Sequence, residues 1–183
     1  MTTDIILIGP MGAGKSTLGK RLAEKLKLPQ YSMDDLKWNY YKEVGYDEDI
    51  AKQIREKEGF LGIYQYWKPF EIYALERLLS DYKNCVIDLG AGHSVYEDKE
   101  LFTRAQQALD PYKNVVLLLP SPNLKQSTQI LKERNLGRAI DVLNFNEHFI
   151  RHHSNYDLAR FTVYTKDKSL ESICDEILTS VIL

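Results

Sequence analysis

Short apolar runs alternate with longer amphipathic segments along this chain of 183 residues. Such alternation is typical of β-α-β units arranged around a parallel sheet. The apolar runs predict strands near residues 4–8, 29–33, 84–89, 113–119 and 161–165. Helical spacing of apolar positions predicts helices near 15–27, 34–42, 48–58, 61–81 (interrupted at Pro69), 97–108, 122–134, 144–159 and 169–181. The pattern therefore predicts one α/β domain over residues 1–183.

The first predicted strand leads into Gly-Pro-Met-Gly-Ala-Gly-Lys-Ser at residues 9–16. This is the G-x-x-x-x-G-K-[ST] phosphate loop, placed between a strand and a helix as the motif requires. Its glycines let backbone N–H groups face a polyphosphate, and the helix that follows directs its positive dipole end at the same anion. Lys15 is expected to contact the terminal phosphates, and the Ser16 hydroxyl is expected to ligate Mg²⁺. The motif therefore predicts a nucleoside triphosphate site built from Gly9, Gly12, Ala13, Gly14, Lys15, Ser16 and Thr17.

A second polar segment, Ser32-Met33-Asp34-Asp35, follows the second predicted strand. The carboxyl ends of parallel strands meet at one edge of a sheet, so these carboxylates are expected to face the phosphate loop. A carboxylate there could orient a hydroxyl that accepts a phosphoryl group. The alternative role is a helix N-cap, for which Asp is well suited. Two acids allow both roles, and we assign the functional role to Asp34.

The third predicted strand ends in Asp88 and is followed by Gly90-Ala91-Gly92-His93. An acid after three apolar strand residues is the pattern in which a strand-end carboxylate holds Mg²⁺. The two glycines would permit close approach of a substrate to the backbone. A strand followed by a plain turn would explain the glycines but not the acid, so the metal interpretation of Asp88 is favoured. No role is assigned to His93.

The composition narrows the class of function. Basic residues number 24 and acidic residues 26, for a net charge of −2, so no basic surface indicates nucleic-acid binding. No apolar run approaches the ~18 residues of a membrane span, and no secretory signal is evident. Cys85 and Cys174 lie in apolar or helical contexts typical of reduced packing residues. We expect a cytoplasmic protein, monomeric or weakly dimeric, whose partner is a small hydroxylated molecule and neither nucleic acid nor membrane.

These motifs together resemble the shikimate kinase family of small-molecule kinases that contain a phosphate loop. The likeness includes residues 9–23, the acidic end of the second strand, the glycines at 90–92 and an arginine-containing segment near 133–143. The resemblance implies a five-stranded parallel sheet in the order 2-3-1-4-5, an acceptor-binding segment at about 34–80 and a helical lid at about 133–143. It further implies transfer of the ATP γ-phosphate to a hydroxyl of a small carboxylated ring, with ATP and Mg²⁺ as cofactors.

Several site residues are implied by that resemblance. The family's Asp-x-Asp appears here as Ser32-Met33-Asp34, so the acid associated with the acceptor is kept while the one associated with the metal is replaced. We infer that Asp88 supplies the metal's carboxylate instead. The lid arginine that reaches the transferred phosphate corresponds to Arg138, and Arg134 is expected near the nucleotide. The family's glycine triplet corresponds to Gly90, Ala91 and Gly92.

The two arginines that usually hold the shikimate carboxylate are absent from the corresponding positions. The first falls at Lys68, and the second falls at His152 beside Arg151. Lysine cannot offer a bidentate fork to a carboxylate, and histidine is largely neutral at pH 7. We therefore expect an altered acceptor pocket. His148 and His152 have the spacing of metal ligands on a helix, but no third ligand is nearby in the sequence, so no zinc site is predicted.

Residues 38–73 are rich in aromatic side chains. Most are expected to pack as ordinary core residues, but a dense aromatic wall also suits a flatter or less acidic acceptor such as a nucleoside. Shikimate is the leading acceptor because the resemblance spans the chain. Kinases of a nucleoside, nucleotide or antibiotic are alternatives, and a non-catalytic nucleotide-binding switch is the alternative from another class. Asp34 and Arg138 argue against the switch, since pure binding requires neither.

Overall fold

A single parallel sheet forms the centre of the computed structural model, which describes residues 4–137 and 140–181, with the backbone alone at 140, 141 and 143. The strands are β1 (Ile5–Ile8), β2 (Gln30–Ser32), β3 (Val86–Asp88), β4 (Val115–Leu119) and β5 (Phe161–Tyr164). Their order is β2-β3-β1-β4-β5, and every pairing is parallel. The predicted fold class and strand order are confirmed.

The helices cover both faces of this sheet. They are α1 (Lys15–Leu26), α2 (Met33–Glu43), α3 (Glu48–Asp81), α4 (Lys99–Leu109), α5 (Leu124–Arg134), α6 (Ile140–Arg151), α7 (His153–Leu158) and α8 (Leu170–Ser180), with a 3₁₀ turn at Ala91–Ser94. Within the described part of the chain, no helix is long and apolar enough to cross a membrane.

Side chains of the buried strands alternate between two cores because successive residues of a strand point to opposite faces. On one face Ile6 and Ile8 join Ile72, Leu75 and Leu78 of α3. On the other face, β1 contributes two residues that pack with α1 and α8; this cluster includes Ile5, Leu7, Leu18, Leu22, Cys174 and Ile177. Both cysteines are buried and reduced, as expected. Burial on both faces explains why these strands read as continuous apolar runs.

Three predicted helix boundaries are wrong. The helix continues through Pro69, since packing of the following apolar face offsets the backbone hydrogen bond that proline removes. The predicted helix at 144–159 begins earlier, at Ile140, and divides at His152, whose backbone is extended (φ −68°, ψ 132°). The N-cap of α2 is Ser32, so Asp34 and Asp35 lie in its first turn and neither caps it.

The break expected between residues 58 and 61 is present and lies at Gly59. This glycine has φ 69° and ψ −156° inside α3, a conformation that is essentially restricted to glycine. The bend changes the direction of the chain immediately before Phe60, a residue that lines a cavity described below.

We expect Gly59→Ala to destabilise the protein by about 1–3 kcal/mol, the usual cost of placing a side chain in such a conformation. The measurement is chemical denaturation, with Glu58→Ala as the control, because Glu58 is exposed in the same helix. Equal stability of the two variants would contradict the assignment of strain to Gly59.

Candidate active site

The phosphate loop joins β1 to α1, and its glycines adopt the conformations that the motif requires. Gly9, Gly12 and Gly14 all have positive φ, at 132°, 78° and 96°. A side chain at Gly9 would lie 2.5 Å from the carbonyl oxygen of Leu118 on β4. The loop is therefore fixed both by its backbone conformation and by close packing against the next strand. Ala13 is buried beneath it, and Thr17 is exposed in the first turn of α1.

Lys15 lies folded against this loop. Its Nζ donates hydrogen bonds to the carbonyl oxygens of Gly9, at 2.7 Å, and Pro10, at 2.9 Å. Burial lowers the pKa of Lys15 to about 8, although the charges of Asp34 and Asp88 act in the opposite direction. The ammonium of Lys15 thus lies among carbonyls of the phosphate loop and near two carboxylates. The motif predicts that this ammonium would contact the phosphates of a bound nucleotide.

The carboxylate of Asp88 accepts hydrogen bonds from three side chains, one on α1 and two on β2. Its Oδ1 accepts from the hydroxyls of Ser16, at 2.7 Å, and Ser32, at 2.9 Å. Its Oδ2 accepts from the side-chain amide of Gln30 at 2.5 Å. The structure therefore brings together Ser16 and Asp88, which the sequence placed 72 positions apart.

This set of donors fits Mg²⁺. A serine hydroxyl and a carboxylate are hard oxygen ligands, and Mg²⁺ is commonly held by one or two protein oxygens together with substrate phosphates and water. Ser16 lies at the start of α1 directly after the phosphate loop, and Asp88 at the end of β3 places its carboxylate within 2.7 Å of the Ser16 hydroxyl. Ser32 also contacts Asp88, so the position at which the resemblance implies a metal-associated acid retains an oxygen in the same cluster.

A cavity of about 300 Å³ opens beside the phosphate loop, with Met11 of the loop in its wall. Its polar wall includes Asp34, Lys37, Glu71 and His93, together with the backbone of residues 90–92. Its apolar wall is largely aromatic: Trp38, Tyr41, Phe60, Tyr64, Trp67 and Phe149. The residues of this wall come mainly from α2, α3 and the turn after β3. Many of them lie within the segment at 34–80, whose role in binding an acceptor stays a prediction.

Asp34 lines this cavity at an exposed position, and its Oδ1 lies 2.6 Å from Lys37 Nζ. Partial loss of hydration raises the pKa of Asp34, but the charge of Lys37 and its hydrogen bond outweigh that effect, so the pKa lies below its ordinary value. Asp34 is therefore ionised at neutral pH and can accept a hydrogen bond from a hydroxyl bound in the cavity.

Lys68 does not have the surroundings expected of an anion clamp. Its buried ammonium donates to Glu71 Oε2 at 2.5 Å, to the carbonyl of Gly92 at 2.9 Å and to the carbonyl of Val95 at 2.8 Å. It also lies 3.9 Å from the ring centroid of Tyr64. All three N–H donors of the ammonium thus have acceptors within the protein. Lys68 stabilises the turn after β3, and Glu71 rather than Lys68 reaches the cavity wall.

The predicted partners of that clamp lie away from the cavity. Arg151 is exposed and pairs with Glu147 at 2.8 Å. His152 follows α6 as the N-cap of α7, and its Nδ1 accepts the backbone N–H of Ser154 at 3.2 Å. Neither residue lines the cavity beside Asp34 among the described residues. The substrate roles assigned to Lys68, Arg151 and His152 have no support in this geometry.

The sequence showed no third metal ligand near His148 and His152, but the fold places Glu97 beside them. Glu97, His148 and His152 offer ligand atoms that lie within 4.8 Å of one another. However, Glu97 Oε1 already bonds His148 Nε2 at 2.6 Å and the Tyr64 hydroxyl at 2.9 Å. Because His152 caps a helix as well, the cluster is satisfied as a hydrogen-bond network.

His93 is the site residue that sequence analysis missed. It is buried in the 3₁₀ turn, and its Nε2 lies 3.1 Å from the Tyr41 hydroxyl. Its Nδ1 has no hydrogen-bond partner among the described residues and lies 4.0 Å from Glu71 Oε1. A side chain at Gly90 would approach Nδ1 to 2.7 Å. The signal in the sequence was the pair of glycines on either side of Ala91. A side chain at Gly90 would collide with His93, and a side chain at Gly92 would collide with Glu71.

Two asparagines to which the sequence analysis gave no role form hydrogen bonds with Met11 of the phosphate loop. Asn146 of α6 accepts the backbone N–H of Met11 and donates to its carbonyl, both at 2.9 Å. Asn135, at the end of α5, donates to the same carbonyl at 3.1 Å. Arg134 reaches the carbonyl of Gly12 at 3.4 Å, and Arg138 lies outside the described residues. The elements on either side of the predicted lid are thus hydrogen-bonded to the loop that would hold phosphate.

Comparison with known proteins agrees with this arrangement. A family model described as shikimate kinase matches residues 11–182. The chain belongs to the shikimate kinase family. Shikimate kinase from Acinetobacter baumannii, solved in complex with shikimate, has 25% identity and a TM-score of 0.62, covering 96% of this chain and 90% of its own. The enzyme from Aquifex aeolicus has 27% identity and a TM-score of 0.59, covering 97% of this chain and 95% of its own.

Sequence similarity to curated shikimate kinases is more limited. The enzyme of Francisella tularensis subsp. novicida is 36% identical over 91 residues, which is 50% of this chain and 46% of that protein. The match therefore spans about half the length of these curated members of the family.

Burial makes His93 a source of acid sensitivity. Loss of hydration lowers its pKa to about 4 from 6.5, and nearby Glu71 compensates only in part. Below pH 6.5 the unfolded chain binds a proton that the folded protein does not, so stability falls as the pH decreases towards 4. At pH 5 this loss is about 2 kcal/mol relative to neutral pH. Between pH 7 and pH 5, we expect the free energy of unfolding of His93→Gln to fall by about 2 kcal/mol less than that of the unmodified protein. The measurement is denaturant unfolding at both pH values.

His153→Gln is the matched control, since His153 is exposed and paired with Asp157. It should keep the pH dependence of the unmodified protein. An unchanged pH dependence in His93→Gln would show that His93 is not held neutral by burial.

Proposed function

We propose that the protein transfers the γ-phosphoryl group of ATP to a hydroxyl group of a small molecule. The observation that supports this best is the position of the cavity that contains Asp34, which shares Met11 with the phosphate loop. A nucleotide on the loop and a hydroxylated molecule in the cavity would thus be neighbours. Membership of the shikimate kinase family supports the same conclusion.

The chain's own residues suffice for binding and orientation. The backbone of residues 9–15 and the ammonium of Lys15 would hold the phosphates and spread the charge that develops during transfer. Ser16 and Asp88 would hold Mg²⁺, which neutralises charge on the phosphate oxygens when bound. Asp34, held by Lys37, would accept a hydrogen bond from the attacking hydroxyl. As the new O–P bond forms, the bond from the γ-phosphorus to the β,γ-bridging oxygen breaks, ADP leaves and Asp34 takes up the hydroxyl proton.

The low pKa of Asp34 defines its part in that step. A carboxylate stabilised by Lys37 is a weak base, so it would orient the hydroxyl and take up its proton late, once the oxygen has become more acidic by bonding to phosphorus. The proposed lid residue Arg138 would add positive charge over the transferred group. A non-catalytic switch would need the loop alone, and the ionised Asp34 in an adjoining cavity favours transfer.

We expect Asp34→Asn to lower kcat by roughly 10²-fold or more, the usual contribution of a positioned base, while leaving ATP affinity within about twofold. Asp35→Asn is the matched control, because Asp35 is the exposed next residue of α2. The assay is acceptor-dependent ADP release over a panel of hydroxylated molecules. Turnover by Asp34→Asn equal to that of Asp35→Asn would overturn the role given to Asp34.

The metal role of Asp88 is tested separately. Asp88→Asn should raise the Mg²⁺ concentration needed for half-maximal activity by at least tenfold, because one of the two protein ligands loses its charge. Ser32→Ala removes a hydrogen bond to the same carboxylate and should leave the Mg²⁺ requirement nearly unchanged. Melting temperatures identify any loss of folding. A raised Mg²⁺ requirement in Ser32→Ala, together with an unchanged one in Asp88→Asn, would assign the metal to the position of Ser32.

A further inference from the structure

We propose that the acceptor is an uncharged polyhydroxylated ring compound, without a carboxylate or phosphate group. This inference rests on the proposed function and specifies the acceptor class of the same site. It follows from the way in which the charges around the cavity are already paired, and from the apolar faces that remain.

Both acidic side chains of the cavity wall have a counterion in direct contact. Asp34 pairs with Lys37 at 2.6 Å, and Glu71 pairs with Lys68 at 2.5 Å. His93 adds no charge at neutral pH because burial lowers its pKa to about 4. The described wall is therefore balanced before any acceptor enters, and an acceptor carboxylate would add a negative charge without a partner.

Lys68 cannot supply that partner without breaking existing contacts. Its ammonium is nearly fully buried, and its three donors are used by Glu71, Gly92 and Val95. An acceptor carboxylate that bound Lys68 would displace Glu71 and leave that carboxylate buried without a cation. Removing the counterion of a buried charge is strongly unfavourable.

Lys37 is the one lysine or arginine among the described residues of the cavity wall. Its ammonium is held by Asp34 and lies 5.2 Å from the ring centroid of Trp38. An acceptor carboxylate on Lys37 would place two carboxylates on one ammonium, beside the hydroxyl that Asp34 has to orient. Like charges in such proximity repel, so this arrangement disfavours acidic acceptors as well.

The remaining surface suits the faces of a ring. Six aromatic side chains line a cavity of about 300 Å³, at the lower end of the range for small-molecule sites. Aromatic faces pack against the C–H faces of a ring, while Asp34, Glu71 and His93 offer hydrogen bonds to its hydroxyls. The wall thus provides apolar contact and hydrogen-bonding groups whose charges are already paired, and no spare positive charge among its described residues.

The experiment compares pairs of compounds that differ only in charge. The acceptors are shikimate and its methyl ester, quinate and its methyl ester, and myo-inositol as a ring polyol without a carboxyl group. Binding to the full chain loaded with a non-hydrolysable ATP analogue and Mg²⁺ is measured by calorimetry, and phosphorylation with ATP by ADP release. Each ester should bind at least tenfold more tightly than its acid. Tighter binding of the acids, or no binding of any of these compounds, would overturn the inference.

Glu71→Gln tests the cause. This substitution removes the counterion of Lys68 at almost constant shape, so the ester-to-acid preference should shift towards the acid by at least tenfold. Glu76→Gln is the matched control on the same helix, since Glu76 pairs with Arg104 away from the cavity. An unchanged preference in folded Glu71→Gln would exclude the charge balance as its origin. Should that variant not fold, the comparison of acids and esters on the unmodified protein still decides.

These outcomes separate the inference from the proposed function. Preferential binding of esters without phosphorylation of any compound would leave the acceptor class standing and count against phosphoryl transfer. Efficient phosphorylation of shikimate, with the acid preferred to its ester, would support transfer and reject an uncharged acceptor.

Discussion

The carboxylate of Asp88 accepts hydrogen bonds from Ser16 at the start of α1 and from Gln30 and Ser32 on β2. Through these contacts the end of β3 is tied to the phosphate loop on one side and to the edge strand on the other. The arrangement depends on parallel pairing, which brings the carboxyl ends of β2, β3 and β1 to one edge of the sheet. Gly19 of α1 leaves room for Gln30, because a side chain there would lie 3.2 Å from the Gln30 amide nitrogen. The buried carboxylate of Asp88 therefore has hydrogen-bond donors for both of its oxygens.

A second buried carboxylate, Glu71, lies in the wall of the cavity that contains Asp34. Its pair with Lys68 fixes α3 against the turn that contains Gly92, and the absence of a side chain at Gly92 gives Glu71 its space. The same pair removes Lys68 from the cavity. One interaction therefore links α3 to the turn after β3 and also pairs the charge of Glu71 at the cavity wall.

Much of the fold followed from local pattern. Continuous apolar runs identified the strands, and the phosphate loop located the first β-α unit, because both depend on properties of neighbouring residues. Helix ends were less predictable. Pro69 remains inside α3 because tertiary packing offsets its local cost, whereas His152 divides a segment whose periodicity predicted one helix. Such boundaries depend on the energy of packing, which a local pattern does not contain.

The sequence by itself determined the phosphate loop, the polar residues at the strand ends and the substitution of lysine and histidine for the expected arginines. Their chemistry is a property of residue type and spacing. Only the tertiary structure decided which residues meet: Asp88 with Ser16, Lys68 with the carbonyl of Gly92, and His93 with Tyr41. The physical reason is that the charge state and availability of a side chain depend on its burial and on partners distant in sequence. Lys68 and Lys37 are the same residue type, yet Lys68 is buried with its ammonium against the turn after β3, whereas Lys37 lines the cavity.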